Sequence, residues 1–461
     1  MKPDRPAMNL DRREWLASLG TGALAASCLG ASPTMAGEGE ARRGPGLKIK
    51  ALRVTPIALP DPPLLASSGC HGPYFLRDIV EVETDGGITG IGETTGGEAV
   101  TVALEKARDL VVGQDAFAYH RFAPGVLKLG AGCYAGVELA CLDALGKATG
   151  RRLSELLGGP VRDEVEFASY LFFRYAADDP RLLADPRIAD ARSRGDKALD
   201  SWGEVRSPEA MAEMAWRFHE RWGFRFHKLK AGVLPPDLEL EALRAIAARL
   251  GGKHRLRIDP NGRWRLETAL RIGAKLKELP LEYYEDPVDG QEAMAEVRRV
   301  TGLPMSTNAC VTSFEHIPRA VETKPIDIVL CDHHYWGGIP ACQALGRIAE
   351  ALRWTVSQHS NNHAGVTMAA MVHLAASLPQ LTCASDTHYP WLVEGADVIA
   401  GPNLRFRDGK LPVPEGPGLG VELDRDKLAR ARETYTKCGM RGRDDAHTMR
   451  LVEPGWERTP L

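Results

Sequence analysis

No stretch of this sequence offers the roughly 20 consecutive apolar residues that a membrane span requires. The nearest approach, Trp15 to Gly30, is short and rich in glycine and serine. Charge of one sign is not in excess either: 58 Lys and Arg against 61 Asp and Glu leave a formal charge of -3, and the bases form no stripe with interleaved aromatics. Without a basic field a polyanion finds no docking surface, which argues against nucleic acid as a partner. Paired-cysteine spacings are missing as well. Nine cysteines, odd in number and scattered, form neither CxxC pairs nor a small-domain disulfide framework. They read as mostly free, buried thiols of a chain that folds in a reducing compartment. At 461 residues the chain exceeds one ordinary core, so a large barrel plus a smaller domain, or two or three domains, is expected.

The N-terminus pulls against a purely reducing location. Arg12-Arg13-Glu14-Trp15-Leu16 opens the small, apolar run, and Thr34-Met35-Ala36 offers a small-X-small cleavage site. Paired arginines before a weakly hydrophobic core resemble a twin-arginine export signal, whose route carries proteins already folded in the cytoplasm. Residues 1–36 are therefore expected to be such a signal, and the mature chain to be exported to the periplasm or cell surface. A disordered tail with a chance arginine pair would leave the chain cytoplasmic. A lipid anchor at Cys28 is the weaker reading, because Leu24 stands one place too far from it for a good lipobox.

From about Leu47 to Gly159 the signals are strands and then helices. Ile79-Val80-Glu81-Val82-Glu83 alternates as a half-buried strand, Asp85-Gly86-Gly87 is a hairpin turn, and Ile88 to Glu93 returns. Helical spacing then runs through Val137 to Leu145 and on to Leu157, ending at Gly158-Gly159. After Pro160 short β-rich runs alternate with longer amphipathic segments. The runs are 165–173, 225–230, 255–259, 281–285, 303–307, 326–331, 354–359 and 381–387, and the last seven end at steps of 22 to 29 residues. Strand and helix alternating so regularly predict a closed eight-stranded parallel barrel rather than an open doubly wound sheet.

In such a barrel the chemistry sits where the strands finish. The polar residues there are Lys228 and Lys230, Asp259 with Asn261, Glu285 with Asp286, Asn308, Asp332, His359, and Asp386 with His388. Taken singly each has a plain explanation: Asp259-Pro260-Asn261-Gly262 as a turn, Asp332 as a helix cap, His359 as a core histidine. Together they form a coherent set. Asp259, Glu285 and Asn308 lie on successive strands and all offer oxygen, the ligand a hard divalent ion such as Mg2+ prefers. A zinc reading from His359 and His363 meets a poor helix at Ser360-Asn361-Asn362 and lacks the Glu of HExxH. Lys228 and Lys230 point to one face of their strand. Two like charges beside a cation disfavour protonation of one, which predicts a lysine with its pKa lowered into the range of a general base. Asp332 can hold His359 in one tautomer and raise its basicity, a second acid-base unit on the opposite face.

These motifs carry a resemblance to the enolase superfamily, which sets a Lys or His base beside Mg2+ to stabilise an ene-diolate. Within it the chain resembles the glucarate dehydratase family, of the mandelate racemase/muconate lactonizing enzyme type. The carrying runs are Lys228 to Leu234, Asp259 to Trp264, Glu285-Asp286-Pro287, Ser306-Thr307-Asn308 and, above all, Ser360-Asn361-Asn362-His363 after His359. The resemblance spans about Leu47 to the C-terminus. It implies an α/β fold: a (β/α)8, TIM-type barrel over 161–400 that bears the active site, an α+β capping domain over 47–160, and a segment over 401–461 that returns to the cap and completes it. It also implies Asp259, Glu285 and Asn308 as Mg2+ ligands, Lys230 with Lys228 as the base on one face, and His359 with Asp332 as the pair on the other. His71, Tyr170, Asn261, His388 and Arg443 are implied as substrate-binding, with His71 on a cap loop that closes the barrel mouth.

The activity so implied is that of a hydro-lyase converting D-glucarate to 5-dehydro-4-deoxy-D-glucarate and water, by removal of the proton next to a carboxylate and expulsion of the neighbouring hydroxyl. The expected partners are a small dicarboxylate sugar acid and further copies of the chain, with no nucleic acid and no membrane span in the mature chain. Departures from the family pattern at Ala231, at Asp332 to Trp336, at Ala364-Gly365 and between Phe122 and Ala135 lie around the pocket and leave the identity of the sugar acid open. The alternatives are dehydration or epimerisation of another acid sugar, and an exported sugar-acid binding protein.

Overall fold

The computed structural model describes residues 46–193 and 202–461, so the export motif with Arg12, Arg13 and Cys28 lies outside the described residues. Three antiparallel strands come first, β1 (Ile49–Pro60), β2 (Tyr74–Thr84) and β3 (Thr89–Thr95), in the order β1-β2-β3. The turn at Asp85-Gly86-Gly87 joins β2 to β3, as the sequence predicts. The alternation in β2 does not produce a half-buried strand, however: Ile79, Val80, Glu81 and Val82 are all buried. Glu81 belongs to the polar phase, yet it is covered because Arg425 of a C-terminal helix pairs with it at 2.7 Å.

Helices α1 (Glu98–Val111) and α2 (Ala131–Thr149) follow. Almost every residue of α2 from Cys133 to Gly146 is buried. It lies so close to β3 that a Cβ on Gly90 would sit 2.0 Å from Ala140 O, and one on Gly92 2.2 Å from Gly136 O. The helix stops at Gly150, in left-handed backbone with its N–H on Gly146 O, rather than continuing to Leu157; a separate short helix covers Leu153–Leu156.

The eight barrel strands are β4 (Glu164–Phe172), β5 (Phe226–Lys230), β6 (Arg255–Asp259), β7 (Leu281–Glu285), β8 (Met305–Thr307), β9 (Ile328–Cys331), β10 (Thr355–Gln358) and β11 (Ser385–Thr387). They pair in parallel from β10 back through β4 to β11, each of the first seven followed by a helix. The ring is nearly closed: between β10 and β11 the described residues offer the Val356–Leu381 bridge and the Thr382 N–H on Val356 O at 3.3 Å. The helix after β10, α3 (Gly365–Ser377), is buried throughout. The chain then returns: α4 (Arg425–Lys437) packs on β1, and α5 (Asp445–Val452) packs on the loop 65–71 between β1 and β2. That loop reaches the barrel mouth, where Ser67 Oγ meets Asn261 at 3.3 Å. The eight cysteines among the described residues are free, and no helix there is long and apolar enough to cross a membrane.

Candidate active site

The strand ends converge as the ladder demands. Asp259 and Glu285 close β6 and β7, Asp286 follows at once, and one oxygen of each lies within 4.8 Å of the others, with all three side chains fully buried. Burial and the neighbouring Asp259 push Glu285 well above the usual carboxylate range and Asp286 up to about 7. Burial opposes ionisation of Asp259 too, but the lysine charges hold it down. Charge piled up in this way is what a hard cation relieves. Asn308 adds a fourth oxygen donor. One end of its amide lies 2.9 Å from Glu285 Oε1 and 3.3 Å from Asp286 Oδ2, and the other lies 3.3 Å from His359 Nε2. With nitrogen toward the carboxylates the amide is satisfied without an ion; with oxygen toward them, three oxygens meet with no proton between, as around a cation. The residues therefore fit a divalent ion. Asp286 is the carboxylate that sequence reasoning passed over as a candidate ligand. It accepts Thr307 Oγ1–H at 2.5 Å and the Asn308 N–H at 2.8 Å, so it also pins the turn that presents Asn308.

The two lysines part company. Lys228 Nζ is fully buried and ion-paired with Glu285 and Asp386, the latter also held by Arg257 Nη1 at 2.8 Å. Lys230 Nζ pairs with Asp259 at 2.6 Å and faces a cavity. The lowered lysine pKa expected from two adjacent ammonium groups is not found. Burial does push Lys230 down, but Asp259, Glu285 and Asp386 outweigh it and raise the group to about 12. A cation on those carboxylates would remove that pull.

On the other flank His359 Nδ1 meets Asp332 Oδ2 at 2.9 Å. Asp332 is also the cap of the short helix 333–336, accepting the His334 N–H at 2.9 Å, so one carboxylate serves the cap and the His359 contact together, but the raised basicity expected of His359 is not what results. Burial, reinforced by Lys230 and Lys228, outweighs Asp332 and lowers the His359 pKa. His359 and His363 share no potential metal cluster among the described residues.

His71, Tyr170, Asn261, His388 and Arg443 all line, with Lys230, one cavity of about 500 Å3. His71 stacks on His388 at 5.9 Å, faces Asp61 at 3.3 Å and contacts Arg443, which pairs with Asp445 at 2.6 Å. Tyr170 Oη donates to Ser360 O at 3.0 Å. Burial and the charges of His71, His363 and Arg443 lower the His388 pKa well below the usual range, and its Nε2 has no hydrogen-bond partner among the described residues. Asn261 is turned inward: its main-chain and side-chain nitrogens both donate to Asp259 Oδ1, at 2.9 and 2.7 Å, so it orients that carboxylate. Asp61 and Asn362, linked at 3.1 Å, were missed. Asn362 sits inside the Ser-Asn-Asn-His run and could have been found there; Asp61 carries no local signal.

Comparison with known proteins places this geometry in company. Residues 62–158 match the mandelate racemase/muconate lactonizing enzyme N-terminal domain, and residues 210–427 match the enolase C-terminal domain-like family. A Streptomyces coelicolor protein named probable glucarate dehydratase is 42% identical over 439 residues, spanning 89% of this chain and 97% of its own. A chloromuconate cycloisomerase of Cupriavidus pinatubonensis is 28% identical over 368 residues, 76% of this chain and 90% of its own. Among solved structures, an enolase from Thermobispora bispora complexed with magnesium and formate superposes with a TM-score of 0.83 at 42% identity, covering 90% of this chain and 99% of its own. One from Pseudomonas fluorescens, with bound magnesium, potassium and tartrate, gives 0.82 at 38%, covering 90% and 98%.

Proposed function

Because this chain belongs to the enolase superfamily, we propose that it is a magnesium-dependent dehydratase of a dicarboxylate sugar acid of the glucarate type. The observation that carries the reading is the bracketing of the buried carboxylate cluster: Lys230 touches it through Asp259 at 2.6 Å, and His359 touches it through Asn308 at 3.3 Å. Asp259, Glu285 and Asn308, supported by Asp286, would hold the ion, which when bound supplies positive charge beside the substrate carboxylate whose α-carbon loses its proton.

The proton next to a carboxylate is barely acidic, so the base must be poised and water kept out. Lys230 Nζ takes the proton from one configuration at that carbon, and His359 Nε2 takes it from the other. His359, kept with its Nδ1–H on Asp332, gives the departing hydroxyl the proton it has just taken or, where Lys230 took the α-proton, the Nε2 proton of its imidazolium form. Arg443 and the paired imidazoles of His71 and His388 hold the far carboxylate, and the loop 65–71 with the start of α5 covers the mouth. Release of the enol gives a keto-deoxy diacid.

A base on each flank also supports a second reading, exchange or epimerisation at the α-carbon. Purified protein with Mg2+, offered a panel of diacid and monoacid sugars in deuterium oxide, tests both: keto-acid formation supports dehydration, deuterium uptake without it supports epimerisation, and neither overturns the proposal. Twin-arginine export and homo-oligomeric assembly remain part of the same reading, resting on Arg12-Arg13 and on the resemblance respectively.

A further inference from the structure

We propose that Arg77 and His334 are positioning residues that fix the hydrogen-bonding state of the Asp332–His359 pair, so that docking of the N-terminal sheet sets the orientation of the base. The inference rests on the reading of His359 as an acid-base group. The Asp332 carboxylate is shared between two histidines. Its Oδ2 accepts from His359 Nδ1 at 2.9 Å, and its Oδ1 accepts from the His334 main-chain N–H at 2.9 Å and from His334 Nδ1 at 3.0 Å. Although burial opposes it, the hydrogen bonds from both histidines hold the Asp332 carboxyl well below the usual range. An ionised carboxylate only accepts, so the ring proton of His334 sits on Nδ1.

The opposite nitrogen is controlled from the N-terminal sheet. His334 Nε2 lies 3.3 Å from Arg77 Nη2 on β2 and 3.2 Å from Glu93 O on β3. A guanidinium has only donors and the Glu93 carbonyl only accepts, so the two compete for Nε2; with Nδ1 already donating to Asp332, a neutral ring leaves Nε2 to receive from Arg77. Arg77 cannot turn away. Its Nε is paired with Glu93 Oε1 at 2.7 Å, with both side chains buried, and its Nη2 also reaches Thr367 Oγ1 at 3.2 Å. Glu93 in turn accepts the N–H groups of Ala364 and Thr367 at 2.8 and 2.7 Å, at the entrance to α3. One buried ion pair therefore clamps the start of the helix that follows His359 and, on its other side, the tautomer of His334.

Such a pair is costly to bury and adds little stability of itself, which fits a specific task. With Oδ1 occupied twice, the carboxylate plane is set and Oδ2 is aimed at His359 Nδ1, leaving Nε2 of His359 toward Asn308. Removal of Arg77 frees His334 Nε2 to take a proton and donate to Glu93 O. His334 Nδ1 can then lose its proton, and Asp332 loses its clamp.

The first test needs neither substrate nor variant. Nitrogen-15 resonances of the histidines in the whole protein should show His334 neutral with its proton on Nδ1; a proton on Nε2, or on both nitrogens, overturns the proposal. The second test is kinetic. His334→Leu should lower kcat about 10–100-fold, the range for partners that orient a reacting group, with KM changed less than about twofold. His334→Gln, whose amide can still donate to Oδ1, should recover most of it. Deuterium exchange should fall for the epimer served by His359 and not for the one served by Lys230. Equal losses in His334→Leu and His334→Gln, or for both epimers, overturn it. If the wild-type protein turns over no sugar acid, the functional reading fails while the resonance measurement still decides this one.

Discussion

Asp259 serves three neighbours at once, the candidate ion, Lys230 and Asn261, so its substitution separates a ligand from a turn residue. Asp259→Asn should cost more than the roughly 10–100-fold lost when a mere supporting partner is removed, in both Mg2+ affinity by calorimetry and kcat, with the fold intact by circular dichroism. Loss of stability with activity retained would mean that Asp259 is only the turn. Exhaustive chelation should abolish turnover, and added Mg2+ should restore it; unchanged turnover would refute metal dependence. In the proposed scheme Lys230 and His359 divide the work by face. Lys230→Ala should abolish exchange from one epimer and spare the other, and His359→Ala the converse. His359→Ala should also depress elimination from both by about 10²–10⁴, the usual weight of a general acid. Deuterium uptake measured on each epimer with each variant checks this, and equal exchange of both by Lys230→Ala would end the two-face scheme.

Among the elements, the close approach of β3 to α2 makes a sharp test of packing. A methyl at Gly92 would press on the Gly136 carbonyl and the Ala140 nitrogen at 2.2 and 3.0 Å, main-chain atoms that cannot swing aside. Gly92→Ala should lower stability by ~1–3 kcal/mol, read as a fall in Tm, whereas Gly252→Ala, with nothing within 4 Å, should not. The same element scale shows what the sequence makes legible. Each of the eight barrel strands overlaps its β-rich run, because local alternation and turn chemistry decide where a strand begins and ends. What escapes is whatever arrives from far along the chain. Arg425 covers Glu81 from 344 residues away, so the pattern in β2 reads as half-exposed when it is not. The rise of Lys230 to about 12 comes from carboxylates on three other strands. The Arg77–His334 contact spans 257 residues and leaves no mark on either neighbourhood.

For the whole molecule, Glu138 on α2 makes a pH-dependent joint. It is buried, accepts the Ile339 N–H at 2.6 Å at the start of a barrel helix, and burial pushes its pKa from 4.5 to about 8. A carboxyl with a raised folded pKa binds its proton in the folded state first, so its contribution is complete below pH 4.5 and drains away as pH rises toward 8. Glu239, raised by burial to about 7, acts in the same direction. Unfolding followed from pH 5 to 9 should show stability falling, and Glu138→Gln should flatten part of the slope; a slope unchanged by Glu138→Gln would remove Glu138 as its source. At the same scale, replacing Arg12 and Arg13 by lysine should leave the precursor in the cytoplasm, and unchanged processing would exclude the twin-arginine route. The sparsely bonded seam between β10 and β11 divides the strand end that carries His359 from the one that carries His388. On the proposed roles of His359 and His388, the length of the substrate from reacting carbon to far carboxylate would be gauged across the joint with the fewest stitches. A shift at that seam would then retune which acid fits while Lys230 and Asp259, on strands paired over five consecutive residues, keep their places, so the diet could change without the chemistry being relearned.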